Sequence, residues 1–208
     1  MPVAGARRGA NEIGTALAQY AKRRLHGEIG VRTLRERGSM GNTRLPNSIF
    51  VVLVVVAAVQ SNYYAQRLPE IVGSHFGKSG FASAWQTKAA FLFVELIVII
   101  LATFVSFGVP RLIAAVPTSA INLPNKDFWL SPERREDTIS FLRTQMAWFG
   151  CTLLAFLLFV MELVFRANLQ TTPRLNMAAF IPALLVFVAF SAMWSIRFVL
   201  RFSRSPNQ

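Results

Sequence analysis

Residues 89–109 read AAFLFVELIVIILATFVSFGV, an almost unbroken apolar run that decides the fold class. A helix rises about 1.5 Å per residue, so roughly 20 apolar residues cross the ~30 Å of hydrocarbon in a bilayer. Similar runs cover residues 48–64, 146–165 and 177–200, and none has the alternation of a barrel strand. The sequence therefore predicts an all-α membrane protein with four antiparallel transmembrane helices.

Two prolines fall at the end of one run and inside another. Proline lacks a backbone N–H, and its ring collides with the preceding helical turn. We therefore expect Pro110 to end the second span and Pro182 to kink or locally loosen the fourth.

The basic residues are distributed as in a membrane protein. The 208 residues carry a net charge of +12, and such an excess in a soluble protein is typical of nucleic-acid binding. Here most Lys and Arg residues lie before the first run, between the second and third runs, or at the end of the fourth. The other connections hold only Arg67, Lys78, Lys88, Arg166 and Arg174. The positive-inside bias thus predicts cytoplasmic termini, with the lipid bilayer and no nucleic acid as partner.

Residues 1–45 form a basic segment without a continuous apolar core, and the membrane domain is expected at residues 46–204. The segment does not resemble a cleavable secretory signal. Its basic clusters fit a cytoplasmic amphipathic arm on anionic lipid. Disorder is a second interpretation, and translation from Met40, directly before the first span, is a third.

The connection at residues 66–88 is short and unusually patterned. It contains LPEIVGSHFGKSG at residues 68–80, followed by Trp85 and Lys88. Its proline and three glycines favour fixed turns, and an imidazole, bulky aromatic rings and a lysine accompany them. This composition predicts a structured loop that covers one mouth of the bundle or presents a docking surface.

The pattern Leu-Pro-x-x-Val-x-x-His-Phe-x-x-x-Gly, followed by Trp and Lys, is similar to the signature loop of a widespread bacterial membrane-protein domain of unknown function. That domain also forms part of SdpI-type immunity and signalling proteins, which protect producers of a secreted peptide toxin. The stretch INLPNKDFWLSPERR at residues 121–135 is similar to a segment that recurs in relatives of the same domain. The resemblance implies the bacterial inner membrane and a role in immunity or sensing. Its first motif comprises Leu68, Pro69, His75, Phe76, Gly80, Trp85 and Lys88, and its second comprises Asn122, Pro124, Trp129, Pro132, Glu133 and Arg135.

The end of the second motif also has the form of a helix start. We expect Ser131 to cap the helix, Pro132 to take its first position and Glu133 to favour the positive end of its dipole. The helix is then expected to run through Arg135 into the third span. Its mixed charges are typical of a solvated face, or alternatively of a cytoplasmic handle for a regulator.

Two acidic residues lie within the predicted spans. Glu95 falls about six residues, roughly 9 Å, into the second span, and Glu162 lies near the same end of the third. Gln60, Ser61 and Asn62 end the first span at this level. Ionisable groups in hydrocarbon usually face a bundle interior or a wet cavity. The sequence therefore predicts a polar pocket below the loop, with candidate ligand-binding residues His75, Phe76, Trp85, Lys88, Glu95 and Glu162.

A structural role is the alternative for both acids. Glu162 is spaced to pair with Arg166 four residues later. If Glu95 has a structural role, it stays protonated or bonds to Gln60 or Asn62.

A metal site, a cofactor and an enzyme are not expected. Only His75, Glu95 and Glu162 are candidate ligands on this side, and the ordinary catalytic motifs are missing. The leading hypothesis is a non-enzymatic membrane protein of immunity or sensing type that binds a peptide or other apolar ligand at residues 68–88 and the pocket below. An accessory subunit of a larger membrane complex and a small proton-coupled transporter using Glu95 are the alternatives.

Overall fold

Four helices are long and apolar enough to cross a membrane in the computed structural model, which describes residues 43–203. Their most apolar windows have mean hydropathies from 1.7 to 2.6. The predicted all-α bundle of four antiparallel membrane helices is confirmed, and the helices mark the chain as a multi-pass membrane protein. The first span is α1 (Thr43–Ala65), and the second is a continuous helix (Lys88–Ala115) made of α2 (Lys88–Thr103) and α3 (Val109–Ala115). The third and fourth are α5 (Arg135–Asn168) and α6 (Met177–Ser203), and the short α4 (Lys126–Trp129) precedes α5.

The bundle has two distinct ends. The connections at residues 66–87 and 169–176 lie together at one end, called the hairpin end below. The connection at residues 116–134 lies at the other, the terminal end, where it contacts the last residues of α6.

The helices extend beyond the apolar runs. Residues 43–45, which were expected to belong to the basic segment, are helical and continuous with the first span. Residues 1–42 and 204–208 lie outside the described residues, and so do the three interpretations of the basic segment. The first turns of α5 are amphipathic, with Ile139 and Leu142 buried against Phe202. They form the predicted helix that leads into the third span.

The second span does not end at Pro110, and this expectation was wrong. Helix α2 (Lys88–Thr103) passes through a π-helical segment, Phe104–Gly108, into α3 (Val109–Ala115). The Val109 N–H bonds to the carbonyl of Phe104, five residues back. A turn of this width moves the preceding carbonyl groups away from the proline ring, so the helix continues. Helix α6 runs continuously through Pro182, and the expected kink or local loosening there stays a prediction.

The connection at residues 66–88 contains a β-hairpin, which the sequence predicted only as a structured loop. Strands β1 (Ile71–Phe76) and β2 (Ala82–Thr87) are antiparallel, with Val72 opposite Gln86 and Gly73 opposite Trp85. Gly80 near the tip has a φ of +83°, and a Cβ there would lie 2.8 Å from the Leu175 carbonyl oxygen. Both the conformation and the space require glycine at this position.

Apolar side chains hold the hairpin on the bundle. Leu68 and Val72 are buried against Tyr64, Phe91 and Phe165. The rings of Tyr64 and Phe165 stack at 4.5 Å between centroids. The hairpin is therefore part of the core at this end and does not project freely.

Asn168 adds a polar attachment. Its Oδ1 accepts the Gly73 N–H at 2.6 Å, and its Nδ2 donates to the Gly73 carbonyl at 3.0 Å. The outer edge of a strand otherwise leaves such groups unpaired, so the Asn168 amide takes the place of a neighbouring strand. Main-chain hydrogen bonds between residues 80–82 and 173–175 complete the attachment.

Two residues of the second motif close the terminal end. Trp129 donates its Nε1–H to the Phe202 carbonyl at 3.2 Å. Arg135 donates to the carbonyls of Ala114 and Val116 at 2.9 and 3.1 Å. Because the last carbonyls of a helix lack partners within it, Arg135 caps the second span.

The start of α5 differs from the expected cap. The Ser131 carbonyl accepts the N–H groups of Arg134 and Arg135, but the N-cap position is Arg134 and no side chain caps it. Pro132 and Glu133 therefore lie in a turn before the helix. The backbone N–H of Glu133 and the Ser131 hydroxyl bond the Glu133 carboxylate and lower its pKa. The exposed members of the second motif are Asn122, Pro124, Pro132 and Glu133.

Gly150 permits close packing in the middle of the bundle. A Cβ at this position would overlap Ser106 Oγ, and would lie 2.6 Å from Ser106 Cβ and 3.3 Å from the ring of Phe50. Small residues allow membrane helices to approach closely. On the next residue, Cys151 Sγ donates to the Pro46 carbonyl at 3.2 Å, so α1, the second span and α5 all meet here.

Candidate functional site

Glu162 joins α5 to α1 at the hairpin end. Its carboxylate accepts hydrogen bonds from Gln60 Nε2 and Tyr64 OH, each at 2.8 Å, and from Arg166 Nε at 2.6 Å. This ion pair with Arg166 is the one expected if Glu162 has a structural role. Since groups of the protein already bond both oxygens, Glu162 acts as a connection between helices.

Glu95 has far fewer partners. It is only 7 % exposed, and its Oε2 has no hydrogen-bond partner among residues 43–203. Ser61 Oγ lies 2.8 Å from Glu95 Oε1, and also 2.8 Å from the Ala57 carbonyl oxygen. A hydroxyl has one proton to donate, so it cannot fully serve both oxygens. The protein therefore leaves most of the hydrogen-bonding capacity of this carboxyl group unused.

Ser61 takes the place that Gln60 or Asn62 was expected to have. Successive helix residues point about 100° apart. Gln60 therefore faces α5 and Glu162, Ser61 faces α2, and Asn62 is exposed.

A cavity of about 210 Å³ lies between α2 and α5 and is lined by Glu95. Ser74 of β1 and Gln86 of β2 also line it, and they are its other polar side chains among the described residues. The remaining walls are apolar and include Phe91, Val98, Leu154 and Met161. A carboxyl oxygen without a partner in such surroundings binds a proton or pairs with a cation. The cavity, called the Glu95 cavity below, thus suits an apolar group that carries a positive charge or a hydrogen-bond donor.

His75 and Trp85 do not line the Glu95 cavity. Neighbouring residues of a strand point to opposite faces. Ser74 and Gln86 face the bundle, whereas His75 and Trp85 beside them are exposed, Trp85 to 53 %. The expected single site is thus divided into the cavity and an outward face of the hairpin, formed by Ile71, His75 and Trp85.

Lys88 and Phe76 are placed to support the hairpin. Lys88 Nζ lies 2.9 Å from Glu70 Oε1 and 3.4 Å from the Leu68 carbonyl, so it fastens the start of α2 to the turn before β1. Phe76 is half-buried at the end of β1. Within residues 43–203, no three His, Cys, Asp or Glu side chains gather as metal ligands.

No protein-family model, curated protein or solved structure matches this chain. The resemblance to the domain of SdpI-type proteins therefore stays a prediction based on the two motifs. Several motif residues have structural roles of their own, such as Gly80 at the hairpin tip and Arg135 at the end of the second span.

Proposed function

We propose that this chain is a non-enzymatic membrane protein of the immunity or sensing type that binds an apolar peptide segment at its hairpin end. One side chain of the ligand enters the Glu95 cavity, where a cationic group or an N–H donor meets the Glu95 carboxyl group. The neighbouring residues of the ligand lie on the outward face of the hairpin.

The Glu95 cavity is the observation that carries this proposal. A buried polar atom without a partner is costly, so a ligand that supplies the missing partner gains affinity there. The volume of about 210 Å³ is below the ~300–1,000 Å³ of pockets that hold drug-sized molecules. One large side chain or a small amine fits this volume better than a complete ligand.

The outward face supports a peptide as the ligand. Ile71 and Trp85 are 52 % and 53 % exposed, and the exposed His75 lies one step further along the same hairpin. Exposed aromatic and aliphatic side chains at one place are typical of interaction surfaces. The resemblance to proteins that counter a secreted peptide toxin points to the same class of ligand.

Phenethylamine is expected to stabilise the purified protein more than 2-phenylethanol, which has the same ring but no cationic group. The ammonium group would pair with Glu95 in surroundings of low dielectric constant. Glu95→Gln keeps the shape of the side chain and removes the charge, so affinity for the amine should fall roughly tenfold or more. Affinity for the alcohol should not change. Thermal unfolding in detergent at a series of ligand concentrations measures both affinities.

Glu162→Gln is the matched control, because Glu162 does not line the cavity and is already bonded to the protein. It is expected to keep the preference for the amine. Equal affinities for amine and alcohol in the unchanged protein, or equal losses in the two variants, contradict the proposal. Recovery of the protein with one partner at fixed stoichiometry would instead favour an accessory subunit.

A proton-coupled carrier is a second candidate, because the same unpartnered carboxyl is suited to carry a proton. A carrier needs a path from the cavity to the terminal end. In that direction Leu154, which lines the cavity, packs with Phe50 and Cys151, and this packing favours binding over transport. Proton movement into proteoliposomes that depends on phenethylamine and is abolished by Glu95→Gln would favour the carrier.

We also propose that the membrane is a bacterial inner membrane, with cytoplasmic termini and the hairpin end outside. The clustering of basic residues at the terminal end of the spans supports this orientation. The resemblance to bacterial proteins supports the membrane type.

His75→Cys is expected to react with a membrane-impermeant maleimide in intact cells, because this position is exposed on the hairpin. The native Cys151 is only 6 % exposed, so the protein without the substitution should react little and serves as the negative control. Ser203→Cys at the terminal end should react only after the cells are permeabilised. The reverse pattern of labelling would overturn the proposed orientation.

A further inference from the structure

A cleft of about 840 Å³ separates the start of α5 from the last turns of α6 at the terminal end. Trp129 and Phe141 form one wall, and Phe190, Trp194 and Phe198 form part of the other. About one turn beyond Phe190 on α6, towards the middle of the bundle, Phe187 stacks on Phe156 of α5 with 4.4 Å between ring centroids. Aromatic side chains therefore form much of the lining of the cleft.

The cleft carries positive charge. Arg197 and Arg201 line it, and no acidic side chain among the described residues does. The Arg201 guanidinium lies 3.7 Å from the centroid of the Phe141 ring, so its position is fixed by stacking. Arg197 has neither an ion pair nor a hydrogen bond within residues 43–203. Trp194 Nε1, on the same face, is buried without a partner there.

The two arginines lie at the depth of lipid headgroups. Helix α6 has 27 residues, which span about 40 Å and exceed the ~30 Å of hydrocarbon. Arg197 and Arg201 fall in its last two turns, and long basic side chains extend towards the interface. Phe190 and Met193 line the deeper part of the cleft, at the level of acyl chains.

We propose that this cleft binds an anionic glycerophospholipid. Its phosphate pairs with Arg197 and Arg201, while one acyl chain lies along Phe190 and Met193. Guanidinium groups suit phosphate oxygens because they offer several donors in one plane.

Phosphatidylglycerol is expected to bind the purified full-length protein about fivefold more tightly than phosphatidylcholine with the same acyl chains. Arg197 makes no ion pair or hydrogen bond with another described residue. Arg197→Gln should therefore remove its charge without changing the fold. This change should lower the affinity for phosphatidylglycerol roughly fivefold and leave phosphatidylcholine binding unchanged. Native mass spectrometry of lipid adducts during a titration in detergent measures both affinities.

Arg44→Gln is the matched control, because Arg44 is exposed at the same end of the bundle but does not line the cleft. This variant should keep the preference for phosphatidylglycerol. Excess inorganic phosphate should not displace the lipid, since the acyl chain contributes to binding. Equal binding of the two lipids, equal effects of the two arginine variants, or displacement by phosphate alone would each overturn the proposal.

Discussion

Gly150→Ala is expected to destabilise the bundle by about 1–3 kcal/mol, even though alanine is intrinsically the better helix former by about 1 kcal/mol. The new Cβ would overlap Ser106 Oγ and come within 2.6 Å of Ser106 Cβ. Neither group can rotate away, because Ser106 is buried and its Oγ is bonded to the Ala102 carbonyl at 2.6 Å. Helix α5 must therefore move away from the second span. Reversible unfolding in mixed micelles measures the change in free energy.

The partner substitution tests whether this contact is the cause. Ser106→Gly removes the atoms that the new Cβ meets, so the double variant should be more stable than the sum of the two single effects allows. Ala155→Val adds volume to an exposed position of the same helix and should change stability little. Normal stability of Gly150→Ala, or no coupling with Ser106→Gly, would show that the helices do not pack as described.

The spans of this fold could be predicted because each depends on its own length and composition. The continuation of the helix through Pro110 could not be predicted, because it depends on a π-helical turn that no single residue type indicates. The hairpin was missed for a related reason. Pro69, Gly73 and Gly77 are local signals for turns, whereas the side chain that pairs with Gly73 lies 95 residues away in the sequence. The composition of the strand does not indicate a contact with a residue so far away in the sequence.

Within the candidate site, the type of residue was predictable but the direction of the side chain was not. Glu95 stands out because an acid inside an apolar run is a strong local anomaly. Ser74 and Gln86 were missed, although each is adjacent to a residue that was chosen. If the strands are recognised, alternation from buried Val72 places Ser74 on the inner face, and the register places Gln86 opposite Val72. The position of Val72 within a strand was therefore the feature of the sequence from which Ser74 and Gln86 could have been found.

Asn168→Leu is expected to destabilise the hairpin end by about 2–4 kcal/mol. Leucine fills a similar volume but cannot bond the N–H and carbonyl of Gly73, which are then buried without partners at a cost of about 1–3 kcal/mol each. Asn168 is only 3 % exposed, so water does not readily replace its amide. Amide hydrogen exchange over residues 68–88 should become much faster, and trypsin should cleave more readily after Lys78.

Gln170→Leu is the control for this prediction, because the Gln170 side chain is an exposed amide nearby whose hydrogen bond to the Arg174 carbonyl is 3.4 Å long. It should leave exchange in the hairpin unchanged. The apolar contact of Val72 with Phe165 remains in both variants, so the bundle itself should stay folded. If exchange in Asn168→Leu matched that of Gln170→Leu, the hairpin would be held by apolar contacts alone. The Glu95 cavity would then depend on Val72 and not on Asn168 for the position of Ser74 and Gln86.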